Sequence, residues 1–248
     1  MKSTVTLFVP CFVDQLRPQA GIAAVEILEG LGYEIRVRPD ILCCGQPFTN
    51  SGAAGQGAAL ARRWYEGMQA ERTVVVLSSS CTVQLRHAAR DAEAVGRSGA
   101  GGRPEVLEFC EFLDTHHPEE SFGWLDRSVC LHSACHGLRD SDADRHARAI
   151  LGRVEGLRVL QGSRPDECCG FGGTFSTSFA AVSVRMGQDR LADILTTGAR
   201  DIVATDLSCL LHLEGIASAR GEKLAFRHIS EILHESLGGK GQPQKEQP

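Results

Sequence analysis

Eight cysteines recur in a doubled pattern along this 248-residue chain. Cys11, the pair Cys43-Cys44 followed by Gly45, and Cys81 form the first set. Cys135, the pair Cys168-Cys169 followed by Gly170, and Cys209 form the second, trailing the first by 124, 125, 125 and 128 positions. Four thiols brought to one point make a soft donor set, which suits zinc or an iron–sulfur cluster alike. Spacing leaves both open, although the CxxC knuckles usual in structural zinc sites are missing. Disulfides fit less well. A bond between adjacent cysteines strains both the S–S torsion and the peptide between them, and it gives Cys11 and Cys81 no part in the repeat. In a chain read as cytoplasmic, ten cysteines point to ligands rather than bridges.

For such sulfurs to meet, the chain must return three times to one place in each half, and the hydrophobic pattern supplies the means. Short β-branched runs alternate with amphipathic helical stretches. Strands are expected at 4–10, 33–39, 73–78 and 104–109, and again at 128–133, 157–161, 201–206 and 223–228. Helices such as QAGIAAVEILEGLG, closed by Gly32 as a left-handed cap, lie between them. The fold class is therefore α/β: two tandem duplicated domains related by pseudo-symmetry, each a small parallel sheet flanked by helices with right-handed crossovers. The expected boundaries are 1–122 and 123–237, with a disordered tail at 238–248. In a parallel sheet the strand C-termini share one edge, where such folds put their ligands. Each cysteine follows a strand and so falls on that edge. Neighbouring side chains on a strand point to opposite faces, so each pair must sit in a loop. Gly45 and Gly170 provide the turn, and the following QPFTNSG and FGGTFSTS read as helix starts with Ser or Thr as caps.

The remaining residues read as structural. Cys110 aligns with Ser230 and Cys130 with Thr6, so both are expected to be small buried hydrophobes. His87, His212, His132 and His136 lie near the cysteines; the first expectation for each is a satisfied or solvated imidazole, with His212 alone weighed as a fifth ligand or a donor to sulfur. GFGGT reads as a simple turn rather than a phosphate cradle, Asp14 and Arg17 as solvated charges at a helix start, and RSGAGGRPE (97–105) as a surface loop. A net charge of −5 with scattered Arg and Lys excludes a nucleic-acid footprint. No apolar run approaches the ~20 residues of a membrane span. The opening MKSTVTLFVPCF reads as a first strand and not as a secretory signal. No dinucleotide fingerprint, P-loop or HExxH occurs. From the residues alone three readings stand: an iron–sulfur electron-transfer protein, a zinc-stapled scaffold, and a thiol–disulfide enzyme using Cys43-Cys44 or Cys168-Cys169.

The doubled cysteine pattern resembles the CCG cysteine-rich domain of heterodisulfide reductases and of glycolate oxidase iron–sulfur subunits. VPCFVDQLRPQAG, CCGQPFTNSG, SSSC and CCGFGGTFS are more specifically similar to the lactate-utilisation protein A family. The resemblance implies an electron-transfer subunit of a system oxidising L-lactate to pyruvate, working with a ferredoxin-type iron–sulfur protein and a third subunit. It also implies that the eight cysteines hold the clusters. Heterodisulfide-reductase domains end in CxxC. Here Gln84 and His212 stand at that place, so four cysteines per half and a [4Fe–4S] cluster in each domain are expected, and disulfide-reductase chemistry is not.

Overall fold

The computed structural model describes residues 2–38, 40, 43–94 and 103–238. Most of the expected glycine-rich loop, 97–102, and the tail 239–248 lie outside the described residues. Two four-stranded sheets form. The first half contributes β1 (Thr4–Phe8), β2 (Glu34–Val37), β3 (Thr73–Val76) and β4 (Glu105–Glu108); the second contributes β5 (Trp124–Leu131), β6 (Glu155–Leu160), β7 (Asp201–Ala204) and β8 (Ala225–His228). All pairings are parallel, in the orders β2-β1-β3-β4 and β6-β5-β7-β8. Strand order therefore reverses between β1 and β3, and between β5 and β7, which opens a crevice beyond their C-termini.

All eight expected strands are present, but most end sooner than their apolar runs suggest, because helices start at once. Pro10 precedes α1 (Cys11–Leu16), Ser79 opens α5 (Ser79–Ala94), and Phe109 opens α6 (Phe109–His116). The remaining helices of the first half are α2 (Pro18–Gly30), α3 (Gln46–Asn50) and α4 (Ala54–Gly67). Those of the second are α7 (Cys135–Arg139), α8 (Ala143–Leu151), α9 (Phe175–Ser178), α10 (Ala180–Leu195), α11 (Leu207–Ala219) and α12 (Ile229–Gly238). In α2 the buried Ala20, Ala23, Ala24, Ile27 and Leu28 form one apolar stripe. Gly32, at φ +93°, ends it, with Tyr33 N–H donating back to the Leu28 carbonyl at 3.2 Å.

The halves are joined reciprocally. The last helix of each, α6 or α12, packs on the first long helix of the other, α8 or α2. Likewise α1 meets α11, and α5 meets α7. One hydrophobic core runs through both sheets, including Leu7, Val75 and Phe112 from one side and Leu131, Val203 and Ile232 from the other. Cys110 and Cys130 are buried within it, as their lack of a repeat mate suggested.

At the pseudo-twofold axis this core gives way to a polar knot. Asp206, buried ahead of α11, accepts from Ser78 Oγ and Ser80 Oγ at 2.6 Å each, from Ser80 N–H at 3.2 Å, and from Ser79 Oγ. Ser78 also receives the Cys81 N–H at 3.1 Å, so one hydroxyl links the inter-half contact to a cysteine. A carboxylate buried here is tolerable only because its lone pairs are filled. Asp206→Ala leaves several buried hydroxyls without an acceptor and should lower the unfolding free energy by roughly 3 kcal/mol, read as a drop in the urea midpoint with the m-value unchanged.

Candidate metal centre

Each cysteine stands where a strand gives way to the next element. Cys11 and Cys135 are the first residues of α1 and α7, and Cys81 and Cys209 are the third of α5 and α11. The adjacent pairs occupy loops after β2 and β6. Gly45 (φ +91°) and Gly170 (φ +89°) turn those loops through the left-handed region. A Cβ on Gly45 would lie 2.4 Å from the Gly57 carbonyl oxygen, and one on Gly170 2.5 Å from that of Ser183. Only glycine lets these loops press against α4 and α10. The Ser and Thr caps expected after the pairs do not form: Gly45 and Thr174 precede α3 and α9 without a capping side-chain bond. Instead, amides at the turns face sulfur. Gly45 N–H donates to Cys43 Sγ at 3.4 Å, Gly170 N–H to Cys168 Sγ at 3.3 Å, and Phe171 N–H to Cys169 Sγ at 3.5 Å.

Within each half the four sulfurs come together. Cys44 Sγ and Cys81 Sγ lie 3.2 Å apart, within reach of a shared hydrogen. Cys11 donates to Cys43, and this bond, with burial, raises the Cys11 thiol while it lowers that of Cys43 to about 6. The second half repeats the arrangement. Its bond from Cys135 to Cys168 raises Cys135 and lowers Cys168, and Cys169, bonded to both Cys168 and Cys209, is raised. The bond to Cys44, and then burial, raise Cys81. Each quartet thus favours a thiolate on the first member of its pair.

All eight cysteines line one cavity of ≈ 100 Å³ between the halves. Asp206, Ser78 and Ser80 form part of its wall. Across the pseudo-twofold, Phe12 meets Phe171 edge-on with centroids 5.6 Å apart, and the equivalent positions, His136 and Gln46, approach to 3.5 Å. Sequence reasoning missed this rim and the Asp206 knot. The run Ser78-Ser79-Ser80 directly before Cys81 was the one available hint. The donor set fits a thiophilic metal or an iron–sulfur group: soft sulfurs converge, amide N–H groups stabilise their charge, and the apolar Phe12 and Phe171 border the cavity.

The histidines divide. His87 is exposed, and His212 is held by Ser183, at 3.3 Å from its Oγ and 3.4 Å from its carbonyl oxygen. His132 departs from expectation. It is buried, a nitrogen of its ring lies within 4.8 Å of the Cys169 and Cys209 sulfurs, and its Nδ1 accepts from Arg190 Nε at 3.1 Å. Nε2 has no partner among the described residues. Burial, aided by the Arg190 charge, lowers its pKa to about 4, so the ring is neutral. Arg17 pairs with Glu214 and is not a free charge, whereas Asp14 is exposed. GFGGT is a turn, with Gly172 and Gly173 at φ +54° and +64°.

The profile of the cysteine-rich CCG domain matches this chain twice, over residues 5–86 and 129–214. Lactate utilization protein A 1 of Bacillus mycoides is 31% identical over 238 residues, covering 93% of this chain and 96% of that protein. The chain belongs to the lactate-utilisation protein A family. Lactate utilization protein A of Exiguobacterium sp. is 32% identical over 239 residues, covering 94% and 98%. That of Bacillus subtilis is 31% identical over 234 residues, covering 93% and 98%. Among solved structures, a hypothetical protein from Helicobacter pylori superposes with a TM-score of 0.71 at 11% identity. The match covers 97% of this chain and 51% of that one, and it shows the fold alone. Each matched stretch falls in one sheet, spanning its first three strands and stopping before β4 or β8. No helix among the described residues is long and apolar enough to cross a membrane.

Two outcomes follow from this geometry. In metal-free protein, brief alkylation at pH 7 followed by peptide mass spectrometry should label Cys43 and Cys168 ahead of Cys11 and Cys135. A lowered pKa means that Cys43 stays ionised down to about pH 6 and its labelling falls away below that, while the core residues Cys110 and Cys130, raised by burial, react only on unfolding. Gly45→Ala should cost well over about 1 kcal/mol in a denaturant melt. Gly52→Ala, at φ +84° but in open space, isolates the strain from the clash.

Proposed function

We propose that this chain is an iron–sulfur electron-transfer subunit of a system that oxidises L-lactate to pyruvate, with one [4Fe–4S] cluster held in each half. The observation that carries the reading is the gathering of two four-sulfur groups on a single cavity. Cys11, Cys43, Cys44 and Cys81 hold one cluster, and Cys135, Cys168, Cys169 and Cys209 the other. The halves divide near residues 122 and 123. When bound, such clusters accept and release single electrons at potentials set by charge, hydrogen bonding and exposure. The chain's own residues supply the thiolates and the amide donors at Gly45, Gly170 and Phe171. Asp206 clamps the halves so that both quartets face the same space. The names of the relatives support the lactate assignment. A ferredoxin-type protein and a third subunit serve as partners in the cytoplasm, and the hydride of lactate goes to a flavin or nicotinamide on a partner.

A zinc scaffold is the second reading: a ring nitrogen of His132 and the Cys169 and Cys209 sulfurs lie within 4.8 Å of one another, a grouping that would hold a single ion once Arg190 released Nδ1 and the ring hydrogen moved there. Metal analysis separates the two. Anaerobically purified protein should be brown, with about eight irons and matching acid-labile sulfide per chain. Cys44→Ser and Cys169→Ser should each lose about half of both. Stoichiometric zinc in iron-free protein would overturn the cluster assignment. Loss of all iron in either variant would replace two centres with one shared centre. For the physiological role, deletion of the gene should abolish growth on L-lactate as sole carbon source and leave growth on pyruvate intact.

A further inference from the structure

The two quartets are alike in their sulfurs but not in what stands behind them. Sheet register equates Phe8 with His132. Phe8 pairs with Val76 at the end of β1, and His132 extends β5 by donating its N–H to the Val203 carbonyl at 2.8 Å. The CCG loops equate the helices that cover them, because Gly45 presses on the Gly57 carbonyl and Gly170 on that of Ser183. Seven residues further along each helix stand Trp64 and Arg190. So where the first half packs Phe8 edge-on against Trp64, centroids 5.6 Å apart, the second places Arg190 Nε 3.1 Å from His132 Nδ1. All four side chains are at most 1% exposed.

This substitution has a chemical direction. A ring nitrogen that accepts from a guanidinium carries no proton, so in the neutral imidazole the hydrogen is on Nε2. That N–H is buried and has no partner among the described residues, and Cys169 and Cys209 are the sulfurs beside the ring. An Nε2 that bears hydrogen has no lone pair for a metal. In this arrangement His132 has an N–H, and not a lone pair, to offer the sulfurs beside it. Arg190 is fixed in turn by Asp193 Oδ2 at 2.7 Å and by the Arg164 carbonyl at 2.8 Å, so the tautomer is set by three anchored groups. Phe8 has no polar atom to offer at the same place.

Resting on the two-cluster reading above, we propose that the two centres are inequivalent: His132, locked by Arg190, donates its Nε2–H to sulfur at the second centre and holds that centre at the higher reduction potential. A hydrogen bond to cluster sulfur favours the reduced, more negative state. The Arg190 charge acts in the same sense, though Asp193 offsets much of it. The first electron added to the protein therefore comes to rest in the second half, whichever centre it enters.

The test is a potentiometric titration followed by electron paramagnetic resonance on the iron-loaded full chain. Wild type should reduce in two separated steps. Cys169→Ser should remove the upper step and Cys44→Ser the lower. In His132→Phe the upper step should move down toward the lower one while the lower step and the iron content hold, and His132→Gln, which keeps an N–H and an acceptor for Arg190, should retain more of the separation. If His132→Phe does not fold because Arg190 is stranded, the double variant His132→Phe/Arg190→Met, which restores an apolar pair, should show the same downward movement. Coincident steps in wild type, or an upper step that ignores either variant, would overturn the proposal. A chain that binds no iron would instead refute the cluster reading on which it rests.

Discussion

Four thiols held in contact repel one another as soon as more than one ionises, and most of the architecture around the cavity answers that repulsion. In each half, Cys11 or Cys135 gives its hydrogen to the first sulfur of the pair, so that sulfur is favoured as a thiolate over its raised partner. Amides at the CCG turns add partial positive charge at 3.3 to 3.5 Å. Such a cluster of ionisable sulfurs is poorly stable by itself and well matched to a cation-rich inorganic core. The glycine after each pair is the mechanical counterpart of this electrostatic demand, since it lets the loop close on the next helix and brings both sulfurs to bear.

Duplication gives this arrangement a second use. The parallel sheet puts three strand ends of each half on one edge, and the reciprocal packing of α6 on α8 and α12 on α2 turns the two edges toward each other. Asp206 stands where the repeat has Ser78, and its carboxylate accepts from Ser78, Ser79 and Ser80 to knot the halves together. Because the knot includes the residue that receives the Cys81 N–H, the alignment of the halves and the placement of a cysteine are coupled. The same asymmetry recurs at the rim, where Phe12 with Phe171 faces the polar equivalents His136 with Gln46, and behind the sulfurs, where Phe8 with Trp64 faces His132 with Arg190. A duplicated site has thus kept its donors and diverged in its surroundings.

Departures from the sequence-based reading are local at the ends of elements and long-range at His132. Strand ends moved by a few positions because helices begin at Cys11, Ser79 and Phe109, and propensity does not weigh a helix start against a strand end. The Ser and Thr residues after the pairs are not caps, because the turn amides nearby are turned toward sulfur. His132 had the same standing as any histidine near a cysteine until Arg190, 58 positions away, was seen to occupy its Nδ1.

What the sequence determined by itself was periodic: the doubled cysteine spacing, the alternation of strands and helices, the glycine required after each pair, and the exclusion of Cys110 and Cys130 from the repeat. These are local or self-comparative properties, and a chain carries them without folding. Tertiary structure alone decided that both quartets face one cavity, that Asp206 joins the halves, and that a buried guanidinium occupies Nδ1 of His132 and leaves the ring hydrogen on Nε2. Those outcomes depend on distances between residues far apart in the chain, and on burial that removes water as a competing partner, neither of which is encoded in spacing.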